Sequence, residues 1–346
     1  MDGQLHTQVK PILLGTLKAG ILLFCLFFLS ACYLGQEPEA SWSTSVEGVY
    51  SADFSADGLY AAVGSFQHGG SLWRTDDGER LYNWNHEADE NTAITALSFS
   101  PEGDYVVTAD ERTLVLWDVY EGSALRFFNS PGEIRYIELT PRADKALLGL
   151  SGGEAVLFDI QRGGIIHEME HSAEIINQAI SADGRYALFS LSNRITVFWD
   201  LRDGSVIREL NHDSRVHTIA LSEDGSLGFL AIQHREAAIF DMRSGEKMTH
   251  LRYNNPFFPS FSSFLAARFY NGGQQLLTGN TTGALELWNT TDGSRVERWV
   301  TPKTNSLGVV SATNSAVVAV AKHSQEQQVF ALTSNGYTHR YSLELN

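Results

Sequence analysis

The chain has 346 residues, is 43% hydrophobic and carries a formal charge of -16. That length allows one large all-β domain or two smaller domains, and the acidic balance argues against nucleic acid, whose phosphates need clustered Lys and Arg. The only cysteines are Cys25 and Cys32, so neither a disulfide framework nor a cysteine-rich metal site can exist in the body of the chain.

The first 31 residues differ from the rest. Lys10 and Lys18 precede AGILLFCLFFLSA, residues 19–31, which hold no charge. As a helix this run would rise roughly 20 Å, short of a hydrocarbon core of roughly 30 Å. Its length predicts the apolar core of a signal peptide rather than a spanning helix. Leu29-Ser30-Ala31-Cys32 resembles the bacterial lipoprotein signal: an aliphatic residue, two small residues, then cysteine. The resemblance implies cleavage between Ala31 and Cys32 and lipidation of the Cys32 thiol. Residue 33 is tyrosine. Aspartate there tends to retain Gram-negative lipoproteins at the inner membrane, so the resemblance implies the outer membrane, facing the periplasm. The expected organisation is a signal peptide over 1–31, a tether over 32–40 and one domain over 41–346.

The body repeats a unit of about 41 residues. An aromatic followed by a polar residue recurs at Trp73-Arg74, Trp117-Asp118, Phe158-Asp159, Trp199-Asp200, Phe240-Asp241 and Trp288-Asn289. Earlier in the unit comes an SxDG-like turn, as in Ser55 to Gly58, Ser100 to Gly103, Ser181 to Gly184 and Ser222 to Gly225. A glycine follows each aromatic, at Gly78, Gly122, Gly163, Gly204, Gly245 and Gly293. Glycine takes the positive φ of tight turns without steric cost. Between turns the segments are short and rich in β-branched and aromatic residues: ITALSFS, YVVTA, TLVLW and SALRFF are four strands in one unit. Four strands per unit of this length is the arithmetic of a propeller blade, and helical periodicity is absent.

On these residues the chain resembles the WD-repeat family of β-propellers, with Trp117-Asp118 and Trp199-Asp200 as literal matches to its dipeptide. The resemblance implies an all-β, seven-bladed propeller of four-stranded antiparallel blades. Residues 316–343 supply three strands of the seventh blade, and the fourth is expected from the N-terminal side, around residues 41–46. Pairing the two ends removes open sheet edges.

HEMEH, residues 167–171, matches the H-E-x-x-H zinc-protease pattern, which needs both histidines on one helical face. The repeat register places it on a fourth strand, where residues four apart lie about 13 Å from each other. No zinc site is expected. His171 instead aligns with His86 and His212, where the WD-repeat family places a histidine that hydrogen-bonds into its blade. The expected structural set is therefore Trp73, Trp117, Asp118, Trp199, Asp200, Trp288, His86, His171 and His212.

No nucleophile elbow or phosphate-cradling loop occurs, and none of the acidic turns matches a calcium loop. No catalytic residue, metal or cofactor is expected. Three departures from the repeat lie on one face: Phe66 to Gly70, Asn85 to Glu90, and RYNNPFFPSFSSF over 252–264. The last holds Tyr253, Phe257, Phe258, Phe261 and Phe264, and clustered aromatics mark interfaces when exposed. The expectation is a lipid-anchored, monomeric, non-enzymatic platform for an unidentified protein partner. The alternative is an envelope enzyme or small-ligand binder working in the central channel. Convergent acids, His and Arg at the channel mouth would favour it; a Ser- and Ala-lined channel would count against it.

Overall fold

Short β-rich segments separated by glycine turns give each unit four antiparallel strands in chain order. The computed structural model describes residues 35–45, 48–65, 68–87, 91–232, 236–251, 263–304 and 313–344. Blade 1 comprises Ser51–Phe54, Tyr60–Ser65, Gly69–Arg74 and Arg80–Trp84; blade 2, Ala96–Phe99, Tyr105–Ala109, Thr113–Asp118 and Ala124–Asn129. Blade 3 comprises Ile134–Leu139, Lys145–Leu150, Glu154–Asp159 and Ile165–Glu170; blade 4, Ile175–Ile180, Tyr186–Leu191, Ile195–Asp200 and Ser205–Asn211. Blade 5 comprises Val216–Leu221, Leu227–Ile232, Glu236–Asp241 and Lys247–His250; blade 6, Phe264–Tyr270, Gln275–Asn280, Ala284–Asn289 and Arg295–Val300. Blade 7 comprises Val317–Lys322, Gln328–Thr333 and Tyr337–Ser342, and is completed by Ala40–Ser43. The closing strand pairs Ala40 with Arg340 and Ser43 with Tyr337. The ring thus closes from the N-terminal side, as the repeat count requires. The closing strand starts one residue before, and ends three residues short of, the segment read from the sequence.

The first strands of successive blades touch around the ring, and that of blade 7 touches that of blade 1. Each apolar cluster bridges two neighbouring blades. Leu72 and Trp84 of blade 1 pack with Val106, Val115 and Trp117 of blade 2, and Phe54 and Val63 of blade 1 pack with Phe330 and Leu332 of blade 7. A fully buried leucine such as Leu230 contributes about 2 kcal/mol, and it does so between sheets. The seam at blade 7 therefore needs both ends of the ring.

The SxDG turns are wired by their own side chains. Ser181 Oγ donates to Asp183 Oδ1 at 2.5 Å and accepts from Tyr186 N at 2.9 Å. Ser222 repeats this with Asp224 and Leu227. The glycine after each aromatic has a second duty that the turn alone does not reveal. At Gly122 φ is +68°, and an added Cβ would lie 2.3 Å from the ring of Tyr82, on the outer strand of blade 1. The Tyr82 hydroxyl donates to Tyr120 O at 2.5 Å in the same turn. At Gly204 the space is taken by His167 of blade 3. The outer strands of blade 7 and of blades 1 to 5 thus each latch onto the next blade's third turn.

Candidate functional site

Blades stand radially, so the open edges of their first strands line the channel. A cavity of about 520 Å³ occupies it. The turn residues Ala56, Pro101, Ala182, Glu223 and Gly272 are among its lining, so it extends to the face that carries the turns between first and second strands. Ala and Ser are present, but the wall also holds Asp53, Glu138, Arg268 and Tyr270. Convergent acids and an arginine are the pattern that distinguishes a ligand-binding channel from an inert one.

Arg268 leaves the inner strand of blade 6 and passes blade 7 to reach blade 1. One terminal nitrogen donates to Asp53 Oδ1 at 2.6 Å, and the other to Phe54 O at 2.9 Å. Asp53 also accepts from Phe54 N at 2.8 Å and Phe99 N at 3.0 Å. Tyr270, on the same strand as Arg268, accepts at its hydroxyl from Lys322 N at 2.9 Å. Burial pushes the Tyr270 hydroxyl up. Glu138, on the inner strand of blade 3, is pushed up to about 8 by burial first and by the Asp53 charge second. Sequence reading missed this group because nothing local in SADF, IRYIEL or FLAARFY marks their charged residues as convergent. The usable signal was a charged residue on the first strand of a unit, where apolar and small residues dominate.

The HEMEH stretch divides between two environments. His167 lies on the exposed outer strand of blade 3, its Nε2 3.3 Å from Arg202 O of blade 4. His171 follows that strand and packs against Phe189 at 4.8 Å and edge-on against Trp199 at 5.9 Å. Burial pushes it down to about 4. The two histidines do not converge, and among the described residues no group of three or more His, Cys, Asp or Glu could hold a metal.

His86 shows what such a histidine can do. It follows the last strand of blade 1 and enters blade 2. Trp117 Nε1 donates to Thr108 Oγ1 at 2.8 Å, and Thr108 lies 2.9 Å from His86 Nε2. His86 Nδ1 lies 2.6 Å from Thr113 Oγ1, which donates to Asp110 Oδ2 at 2.7 Å. Because Thr113 gives its proton to Asp110, His86 carries its own on Nδ1 and accepts from Thr108 at Nε2.

Blade 4 lacks this chain. Trp117 pairs with Val106 and Trp199 with Ala187, so Phe189 stands where blade 2 has Thr108. Without that hydroxyl, His171 Nε2 and Trp199 Nε1 are buried with no hydrogen-bond partner among the described residues. His212 turns back to its own blade, with Nε2 2.9 Å from Thr196 Oγ1. Trp288 donates to Thr278 Oγ1 and Trp73 to Ser71 Oγ, both at 2.8 Å. Asp118 accepts from Tyr120 N and Glu121 N at 2.8 Å and so forms its turn. Asp200 does the same for Arg202 N and also ion-pairs with Arg202 and Arg185.

Ala31, Cys32, Tyr253, Phe257, Phe258 and Phe261 lie outside the described residues. Phe264, at the end of the aromatic stretch, opens the inner strand of blade 6. It is buried and packs edge-on against Phe229 at 5.6 Å.

Comparisons with known proteins agree with this architecture. No curated protein matches the chain in sequence. Among solved structures, the β-propeller domain of Cps50 (Swd1) from Myceliophteria thermophila is similar, at 16% identity and a TM-score of 0.70, over 88% of this chain and 99% of that one. Residues 78–118 match the WD domain, G-beta repeat, and the chain is an all-β, seven-bladed propeller that contains this repeat.

Proposed function

We propose that this protein is a lipid-anchored propeller of a bacterial envelope, held at the outer membrane on its periplasmic side, and that it acts as a non-enzymatic platform for a protein partner. The observation that carries this reading is Leu29-Ser30-Ala31-Cys32 at the end of an uncharged run, placed just ahead of a ring-closing strand. Propellers with WD repeats generally bind proteins, which supports the platform. The interblade cores and the His86–Thr108–Trp117 chain make the ring a rigid support. In this reading residues 1–31 are removed, and 32–40 tether the domain that follows. Diacyl attachment at Cys32 with a further chain supplies the two anchoring signals that stable membrane binding needs.

The aromatic segment that holds Tyr253, Phe257, Phe258 and Phe261 is the contact surface in this reading. Tyr, Trp and Phe are enriched at the cores of protein interfaces. Affinity capture with the wild type and with Phe257→Ala/Phe258→Ala tests it. The wild type retains at least one envelope protein that the double variant loses, with the two proteins melting alike. Recovery of the same partners by both contradicts the assignment of the surface.

A further inference from the structure

Arg268 shows how this channel holds a cation. Its guanidinium is gripped by one carboxylate and by backbone carbonyls on the open edge of an inner strand: Asp53 Oδ1 at 2.6 Å, Phe54 O at 2.9 Å and Ser55 O at 3.4 Å. Asp53 is fully engaged, since Phe54 N and Phe99 N also donate to it.

Glu138 is a second carboxyl on the same wall, without such a partner among the described residues. Ser98 Oγ approaches its Oε2 at 3.3 Å. The same hydroxyl lies 3.0 Å from Phe99 O, which competes for its single proton. The flanking inner strands, ALSF on blade 2 and IINQAI on blade 4, bring no ionisable side chain. Among the described residues, the charged groups that act on Glu138 are Asp53 and Arg268, and these are bonded to each other. Glu223 adds a further acid to the cavity lining, and a chain of charge -16 attracts cations.

We propose that the Glu138 wall of the channel binds a small organic cation, a primary ammonium group on a short flexible chain, which meets Glu138 as Arg268 meets Asp53. The cavity, about 520 Å³, lies within the range of small-ligand sites. An ammonium brings three N–H donors to the carboxylate, the Ser98 hydroxyl and the strand-edge carbonyls. A bare metal ion fits less well, because it needs several ligands at once and no such cluster forms among the described residues. The proposal stands apart from the platform reading, since it needs neither the anchor nor a protein partner.

Binding is coupled to a proton. Free Glu138 holds one at neutral pH, because burial and Asp53 push it up to about 8. The incoming ammonium favours the carboxylate, so that proton leaves to the buffer. Affinity therefore rises with pH up to about 8, while the amine itself stays charged.

Calorimetric titration of the full chain in detergent with putrescine and with spermidine tests this, in two buffers of different ionisation enthalpy. The expected result is saturable binding whose heat depends on the buffer, reporting proton release. Glu138→Gln keeps the shape of the protonated acid, so its melting temperature at neutral pH is not lowered. It weakens binding roughly tenfold or more, the loss of one charge-assisted hydrogen bond, and it abolishes the buffer dependence. The proposal is overturned if Glu138→Gln binds as tightly as the wild type. It is equally overturned if neither amine binds at millimolar concentration, or if uncharged 1,4-butanediol binds as well as putrescine.

Discussion

Thr108→Val destabilises the propeller by about 3 kcal/mol, whereas Ser190→Ala costs less than about 1 kcal/mol. Both hydroxyls sit on second strands and both are buried. Valine keeps the branched shape of threonine but neither accepts nor donates. Trp117 Nε1 and His86 Nε2 then lose the oxygen that lies 2.8 Å and 2.9 Å from them. Leaving a buried polar group unpaired costs about 1–3 kcal/mol, and here two are left at once. Ser190 Oγ has no hydrogen-bond partner among the described residues, so its removal breaks nothing. Denaturant midpoints measure both. Equal costs would mean that the chain from Trp117 to Asp110 contributes little to holding blade 2.

The contributions of His171, His339 and Glu138 together peak near about pH 6.5 and fall on either side for opposite reasons. Burial pushes His171 and His339 down from 6.5 to about 4. Between those values the unfolded chain binds protons that the folded chain refuses. Their contribution is therefore complete above pH 6.5 and is lost as pH falls towards 4, at most about 3 kcal/mol for each. His339 is the more exposed to consequence, because its Nδ1 lies 2.7 Å from Ser41 Oγ on the closing strand of blade 7. Glu138 behaves in the reverse sense. Its folded value is raised from 4.5 to about 8, so the folded chain keeps a proton that the unfolded chain has released. That contribution is complete below 4.5 and is lost as pH rises through 8, at most about 5 kcal/mol. Melting temperatures taken across this range in the absence of amines show both limbs. Glu138→Gln flattens the fall between about pH 6.5 and 8 and steepens the rise between 4.5 and 6.5, where the Glu138 loss opposes the histidine gain. An alkaline limb that persists in Glu138→Gln would assign it to another group.

The fold was legible because its determinants are local and repeated. Trp117-Asp118 and its counterparts mark the third strand of each unit, and Ser181 to Gly184 close a turn with their own side chains. Even the closing strand followed from counting, since the last unit supplies three strands and a blade needs four. The channel group was not legible in the same way. Asp53 and Arg268 are 215 residues apart, and nothing local in SADF or FLAARFY says that they meet. HEMEH shows the opposite error to avoid: its spacing carries chemistry only on a helix, and here it lies at the end of a strand. The His86 chain was half legible. The register gives the histidine and the tryptophan, but whether the hydroxyl between them is Thr108 or a phenylalanine such as Phe189 depends on strand pairing.

We propose that this propeller is held to a membrane by a lipid on Cys32. Metabolic labelling with radioactive palmitate, followed by membrane fractionation of the wild type and Cys32→Ser, measures it most directly. The wild type incorporates label and sediments with membranes, whereas Cys32→Ser does neither. A wild type that takes up no label, or a Cys32→Ser protein that stays in the membrane fraction unchanged, would contradict the account.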